Sequence, residues 1–327
     1  MSTSHFLKPL RVDCRFVFID DSMDYLDTIK MVLKRGPTAA ASFYDRPDTL
    51  DPVLHENALR LERERSLLHG IAVAQDPEQE GAAAVLALKY FASKWRRDII
   101  GVLVADFDMP LERGDLFCKR HKAIGLQRVL LTGKADQSQA INAFKDRQIE
   151  DFIAKNEQRT TVDASGKSVP VPFLDILRSE LERQPALSAE LRGEPLMPVL
   201  DRIAAENKVL QTAAAADSLR LLLDEYRISE YMMLGFPLGI LGLSADEKAY
   251  WFQIETAESK VSQLEVSTGD VADRVSRGET ALNFSWMAQL GHEPTEVPLR
   301  ALSTEPYLAV GVCSLDNLPP DLHPAFK

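Results

Sequence analysis

The sequence predicts an α/β domain over residues 1–185, built on a doubly wound parallel sheet of five strands, followed by a mostly α-helical domain over residues 186–327. Three observations point there. In the first region short apolar runs alternate with helical patterns, as the strands and crossover helices of a parallel sheet do. Most of those runs stop abruptly at acid, threonine or lysine. At Gln184-Pro185 the composition changes, and Ala- and Leu-rich helical patterns follow. A length of 327 residues suits two domains. With 45% hydrophobic and 27% charged residues, the composition is that of a soluble globular chain able to build a core.

Residues 16–19 (FVFI) form an apolar run that ends at Asp20 and Asp21 and reads as a buried strand. Ser22 opens a helical segment with Leu26, Ile29 and Leu33 on one face, closed by Gly36-Pro37. Residues 39–44 suit a second strand. The third is 99–105 (IIGVLVA), ending at Asp106; the fourth is 129–131 (VLL), followed by Thr132 and Gly133; the fifth is 149–154, followed by Lys155. Helical patterns near 114–122 and 136–146 lie between them, and a last helix over 173–183 offers Leu174, Leu177 and Leu181 to the sheet. Residues 156–172 read as a long polar loop.

Between the second and third strands, residues 47–97 carry two amphipathic patterns, one through Leu50, Leu54, Ala58, Leu61 and Leu68, the other through Val85, Leu88 and Phe91. They predict a helical insertion in place of the second helix, as an elaborated scaffold or as a partner-docking surface. In the C-terminal region, residues 199–226 read as one long helix. Leu200, Ile203, Leu210, Ala214 and Leu221 form a heptad-like seam that would suit a dimeric coiled coil, and hence a homodimer. Leu219, Leu222 and Tyr226 form a competing stripe that suits a bundle helix equally well. Residues 232–243 read as a buried Gly-rich connection, and Ser244 to Glu247 (SADE) as a capping box opening a helix to about Val266 with Tyr250, Trp251 and Ile254 on its core face. Further helices fit 270–277 and 279–290, and a terminal strand fits 307–312.

In a parallel sheet the carboxyl ends of the strands share one edge, where ligands bind. Asp20, Asp21, Asp106, Thr132 and Lys155 should therefore converge although they are far apart in sequence. Three carboxylates brought together repel one another unless a divalent cation joins them, and an all-oxygen ligand set favours Mg2+. Facing that metal and an ammonium, Asp106 would be an ionised, oriented nucleophile. The metal and Lys155 would neutralise charge on a transferring phosphoryl group, and the Thr132 hydroxyl could donate to its oxygens. The set suits formation of an aspartyl phosphate.

On these residues the sequence resembles the receiver domain of two-component response regulators. The marks are FIDDS with Asp20-Asp21, VADFDMP with Asp106 three residues before Met109-Pro110, then Gly114, LLTG with Thr132, and FIAK with Lys155. The resemblance implies a flavodoxin-like sheet, Asp106 as phosphoacceptor, and magnesium held by Asp20, Asp21, Asp106 and the backbone carbonyl of Asp108. It also implies switch roles for Thr132 and for Phe152, and a histidine kinase or phosphotransfer protein as phosphoryl donor. It covers residues 16–185. Two departures stand out: the 85-residue interval from Asp21 to Asp106, which is longer than usual, and Lys155-Asn156 where the family has Lys-Pro.

The net charge of −11 is unevenly placed: residues 186–327 carry 21 acidic and 11 basic side chains, a net of −10. Nucleic-acid binding rests on Lys and Arg neutralising phosphates, so this region is not expected to bind nucleic acid. No catalytic motif is found in it, so its expected role is to signal to a downstream protein partner. The alternatives are a regulated enzyme with its chemistry in 186–327 and a phosphorylation-independent scaffold. Cys14, Cys118 and Cys313 are too few and too scattered for a disulfide framework or a zinc site. No signal-peptide or membrane-spanning pattern is seen, which points to the cytoplasm.

Overall fold

The short apolar runs of the first region become one parallel sheet. The computed structural model describes residues 10–11, 14–33, 40–75, 82–133, 136–155, 159–162, 167–235, 238–283 and 295–315. After a two-residue strand β1 (Leu10–Arg11) come β2 (Arg15–Ile19), α1 (Met23–Leu33), β3 (Ala41–Tyr44), α2 (Pro47–Val73), α3 (Ala82–Ala92), β4 (Ile100–Asp106), α4 (Gly114–Arg120), β5 (Gln127–Thr132), α5 (Gln137–Lys145) and β6 (Asp151–Ala154). The five-stranded sheet runs β3-β2-β4-β5-β6 with every pair parallel. Counting these strands alone, the order is second, first, third, fourth, fifth, the flavodoxin-like, doubly wound arrangement.

Alternation along the strands explains why both faces are covered. All seven residues of β4 are buried. Val102 and Val104 point to one face with Phe16, Phe18, Val129 and Leu131, under Leu26 and Ile29 of α1. Leu103 and Ala105 point to the other with Val17, Ile19 and Leu130, under Leu50, Leu54 and Leu61 of α2, Phe117 of α4 and Ala140 of α5. Each fully buried Val, Leu or Ile among them contributes about 2 kcal/mol. The first half of α2 thus covers the sheet where a second crossover helix is needed. The buried Asn57 on it donates to the Ile100 carbonyl (2.9 Å) and accepts from the Ile100 amide (2.8 Å), pinning the start of β4.

The loop expected over 156–172 holds a hairpin within its described residues. β7 (Arg159–Val162) and β8 (Ser168–Val171) pair antiparallel, their Thr and Val residues favouring strand. The last helix of the unit, α6 (Phe173–Gly193), lays Leu177 and Leu181 on the α1 face of the sheet.

The chain separates into two compact units, Val12–Glu64 with Trp95–Arg192, and Arg65–Lys94 with Gly193–Lys327 and the start of the chain. A boundary after residue 185 falls inside α6, and the insertion over 47–97 contributes to both units. In the second unit α7 (Met197–Glu206), α8 (Ala213–Glu225), β9 (Ile228–Gly235), β10 (Leu238–Ser244), β11 (Ala249–Thr256), α9 (Ala257–Val266), α10 (Gly269–Arg277), β12 (Thr280–Asn283), β13 (Thr295–Thr304) and β14 (Tyr307–Ser314) follow in order. Helices are abundant, as expected, and with them is a seven-stranded antiparallel sheet, β1-β9-β10-β11-β14-β13-β12. Its core joins Ala84, Ala87 and Phe91 of α3, Ile203 of α7 and Leu219 of α8 to Leu234, Leu241, Trp251 and Val310 of the strands.

Several local expectations for this unit are corrected. The single helix over 199–226 is two helices: α7 stops at Asn207, and Thr212 caps α8 by accepting from the Ala215 amide at 3.2 Å. The coiled-coil seam is thereby broken, Leu221 is 71% exposed, and Leu219 and Leu222 of the competing stripe are the buried ones. The connection over 232–243 is a β-hairpin in its described residues. Ser244 to Glu247 form a turn, not a helix start: the Ser244 hydroxyl accepts from the Lys248 amide (3.0 Å) and donates to Asp246 (2.8 Å). Tyr250, Trp251 and Ile254 therefore lie on β11, and the helix starts at Ala257 behind a Thr256–Ser259 capping box. The pattern over 279–290 begins as strand β12, and the rest of it lies outside the described residues. The Gly36-Pro37 stop also lies outside them.

Candidate functional site

The carboxyl edge of the parallel sheet gathers the charged residues that end its strands. One further main-chain bond beyond each strand sets where they sit: the Asp20 amide donates to the Tyr44 carbonyl (3.2 Å), the Phe107 amide to Leu131 (2.8 Å) and the Lys155 amide to Thr132 (2.7 Å). Asp20, Asp106 and Lys155 are thus placed by the ladder itself.

Carboxylate oxygens of Asp20, Asp21 and Asp106 all lie within 4.8 Å of one another, with Asp20 and Asp106 buried and Asp21 exposed. The Lys155 ammonium bridges the buried pair, 2.7 Å from Asp106 Oδ1 and 3.1 Å from Asp20 Oδ2. The Ser22 amide donates to Asp20 Oδ1 at 2.9 Å. Burial holds the Asp20 pKa above the ordinary carboxylate value, and the charge of Asp106 adds to this against the pull of the Ser22 amide and Lys155. Burial disfavours the charge on Lys155, but the hydrogen bond and charge of Asp106, with Asp20, outweigh it and keep the ammonium above its usual pKa. Three carboxylates against one ammonium leave two negative charges to compensate. An all-oxygen cluster with that imbalance fits a divalent cation of the Mg2+ type.

The other expected residues are near the edge but are engaged differently. Thr132, at the end of β5, is fully buried and its hydroxyl donates to the Gly133 carbonyl at 3.2 Å. Phe152 on β6 is partly buried and packs on the core face of α2, α4 and α5. Asp108 is exposed, two residues beyond the end of β4. Asn156 lies outside the described residues.

Sequence reasoning missed two roles. Gly114, the first residue of α4, donates its amide to the Phe107 carbonyl (3.0 Å) and sits against the main chain of Asp106, where a Cβ would lie 2.0 Å from the Asp106 carbonyl oxygen. No other residue type allows α4 to begin so close to the strand end. Tyr25, on the first turn of α1, puts its ring under the Lys155 ammonium, 4.3 Å from the ring centroid. Its signal in the sequence is only its place one helical turn beyond Asp21. Cys118 is fully buried, and burial pushes its thiol up to about 12, which makes it inert packing. No described helix is long and apolar enough to cross a membrane.

No protein-family profile and no curated protein matches the chain. Among solved structures it is similar to the Legionella pneumophila response regulator LqsR, at 20% identity and a TM-score of 0.61, over 97% of this chain and 93% of that one. It is also matched, over 54% of its length, by a response regulator receiver domain protein of Clostridium thermocellum (15% identity, 94% of that chain, TM-score 0.31) and by a CheY-like receiver domain protein of Methanospirillum hungatei (10% identity, 98% of that chain, TM-score 0.31). The likeness to the first extends over both units and is one of fold. The parallel sheet, its helices and their order are those of a flavodoxin-like fold.

Proposed function

We propose that this chain, whose first unit has the receiver fold, is a response regulator of a two-component phosphorelay, with Asp106 as its phosphoacceptor. The observation that carries this is the Lys155 ammonium seated between Asp106 and Asp20, within a triad of carboxylates at the ligand-binding edge of the sheet. The donor is a phosphohistidine on a histidine kinase or phosphotransfer protein. A carboxylate oxygen of Asp106 attacks the phosphorus; a P–O bond forms to Asp106 as the donor's P–N bond breaks, and the imidazole leaves with that bond's electrons. Lys155 neutralises charge on Asp106 and on the incoming group. Magnesium, held by the carboxylates of Asp20, Asp21 and Asp106 and the carbonyl of Asp108, would supply charge neutralisation at the phosphoryl oxygens.

The Thr132 hydroxyl exchanges its bond with the Gly133 carbonyl for one to a phosphoryl oxygen, and Phe152 repacks in step. Such a change biases a two-state element. The second unit reports it to a downstream protein. Residues 193–327 of it carry 20 acidic and 10 basic side chains, a net of −10, which supports a protein partner and not nucleic acid. The setting that fits this chemistry is the cytoplasm.

The test is labelling of the full chain by acetyl phosphate with Mg2+. Wild type takes up one phosphoryl group that EDTA prevents, and Asp106→Asn takes up none. Persistent labelling of Asp106→Asn would overturn the assignment.

A further inference from the structure

Tyr25 belongs to no part of the chemistry described so far, yet its ring lies against the Lys155 ammonium at the acidic edge. Ser22 begins α1 and caps it: its hydroxyl accepts from the Tyr25 amide at 3.3 Å and its carbonyl from the same amide at 3.1 Å. That cap fixes Tyr25 on the first turn, directly beyond Asp20 and Asp21. The side chain then makes two observations that packing alone does not account for. Its ring centroid is 4.3 Å from the Lys155 ammonium, well inside the range of a cation–π contact. Its hydroxyl oxygen is buried and has no hydrogen-bond partner among the described residues. A buried hydroxyl left unpaired is costly, and one held only by its ring would be as well served by phenylalanine.

We propose that Tyr25 is a working residue of the phosphoacceptor site, its ring seating the Lys155 ammonium against Asp106 and its hydroxyl donating to an anionic oxygen of the phosphoryl group that the site receives. This rests on the phosphoacceptor reading above. Burial and the charges of Asp20 and Asp106 all push the Tyr25 pKa upward, so the phenol keeps its proton and is a donor. An ammonium shared between two carboxylates can lean toward either; a ring beneath it favours the position that serves both. When the phosphoryl group arrives, it brings the acceptor that Tyr25 lacks.

Two measurements decide it, both on the full chain. The first is a double-mutant cycle by urea unfolding in EDTA, pairing Tyr25→Leu with Lys155→Met. A ring–ammonium contact predicts coupling of about fivefold in the unfolding equilibrium constant. Repeating the cycle with Tyr25→Phe, which keeps the ring, removes most of that coupling. Additive effects of Tyr25→Leu and Lys155→Met would overturn the seating role.

The second is the rate of labelling by acetyl phosphate with Mg2+. Tyr25→Phe, which removes only a hydroxyl that has no hydrogen-bond partner among the described residues, is expected to label about tenfold more slowly, since a hydrogen bond to a charged group is lost. Equal rates for Tyr25→Phe and wild type would overturn the donor role. If wild type itself takes no label, the phosphoacceptor reading fails and the donor role falls with it, while the cycle still decides the ring contact.

Discussion

Gly114→Ala adds one methyl group at the point where α4 abuts the strand that carries Asp106. The new Cβ would stand 2.0 Å from the Asp106 carbonyl oxygen, 2.8 Å from its carbonyl carbon and 3.0 Å from Leu130 Cδ1. Ordinary contact needs about 3.5 Å, so the start of α4 and the end of β4 must part by about 1.5 Å. Two of the three obstacles are main chain, and a flexible side chain cannot relieve them by turning away. Overpacking of this kind costs about 3 kcal/mol, and the better helix propensity of alanine returns about 1 kcal/mol, for a net loss of about 2 kcal/mol. A displacement on the order of 1 Å at a reacting group lowers rates on the order of 100-fold. Urea unfolding and acetyl phosphate labelling measure the two effects. Gly70→Ala on α2 is the control: nothing lies within 4 Å of a Cβ there, so it should stabilise by up to about 1 kcal/mol and leave labelling unchanged. A Gly114→Ala protein as stable as wild type, with unchanged labelling, would refute the steric argument.

Two further predictions concern buried carboxylates. Asp20→Asn keeps an acceptor for the Ser22 amide and removes one of three clustered negative charges. In EDTA it should melt higher than wild type by roughly 2–4 °C for each kcal/mol of repulsion relieved, while losing Mg2+-dependent labelling; a lower melting temperature would count against the charge imbalance. In the second unit Glu255 is buried and accepts from Gln253 (2.6 Å), Ser259 (2.6 Å) and Gln263 (3.3 Å). Burial holds its folded pKa above the ordinary 4.5 despite these bonds. The stability linked to its proton is then fully present below pH 4.5 and lost as pH rises through the raised folded value. Glu255→Gln does not titrate, so its urea midpoint should gain on wild type as pH rises from below 4.5. Parallel curves for the two proteins would exclude the linkage.

The parallel sheet was legible because its central strands β2, β4 and β5 are buried on both faces. That burial writes each one into the sequence as a contiguous apolar run, as in residues 100–105, with a functional residue at its end. The site was legible for the same reason, since a strand end names its residue without any knowledge of the loops. The second unit was harder. Tyr250 and Ile254 are spaced as a helix face would be, and only the antiparallel pairing of β11 with β10 and β14 makes that segment a strand. The break between α7 and α8 turned on the Thr212 cap, whose local signal is weaker than the apolar periodicity around it.

The sequence by itself determined which residues terminate the strands of the first unit, and hence that Asp20, Asp21, Asp106 and Lys155 meet. Only the tertiary structure decided that residues 65–94 belong with the C-terminal unit, that seven strands pair there, and that Tyr25 and Gly114 complete the acidic edge. The difference is physical. Burial on both faces and strand-end position leave a local pattern, whereas antiparallel partners, helix docking and a single ring under an ammonium are choices among distant segments that a local pattern does not encode.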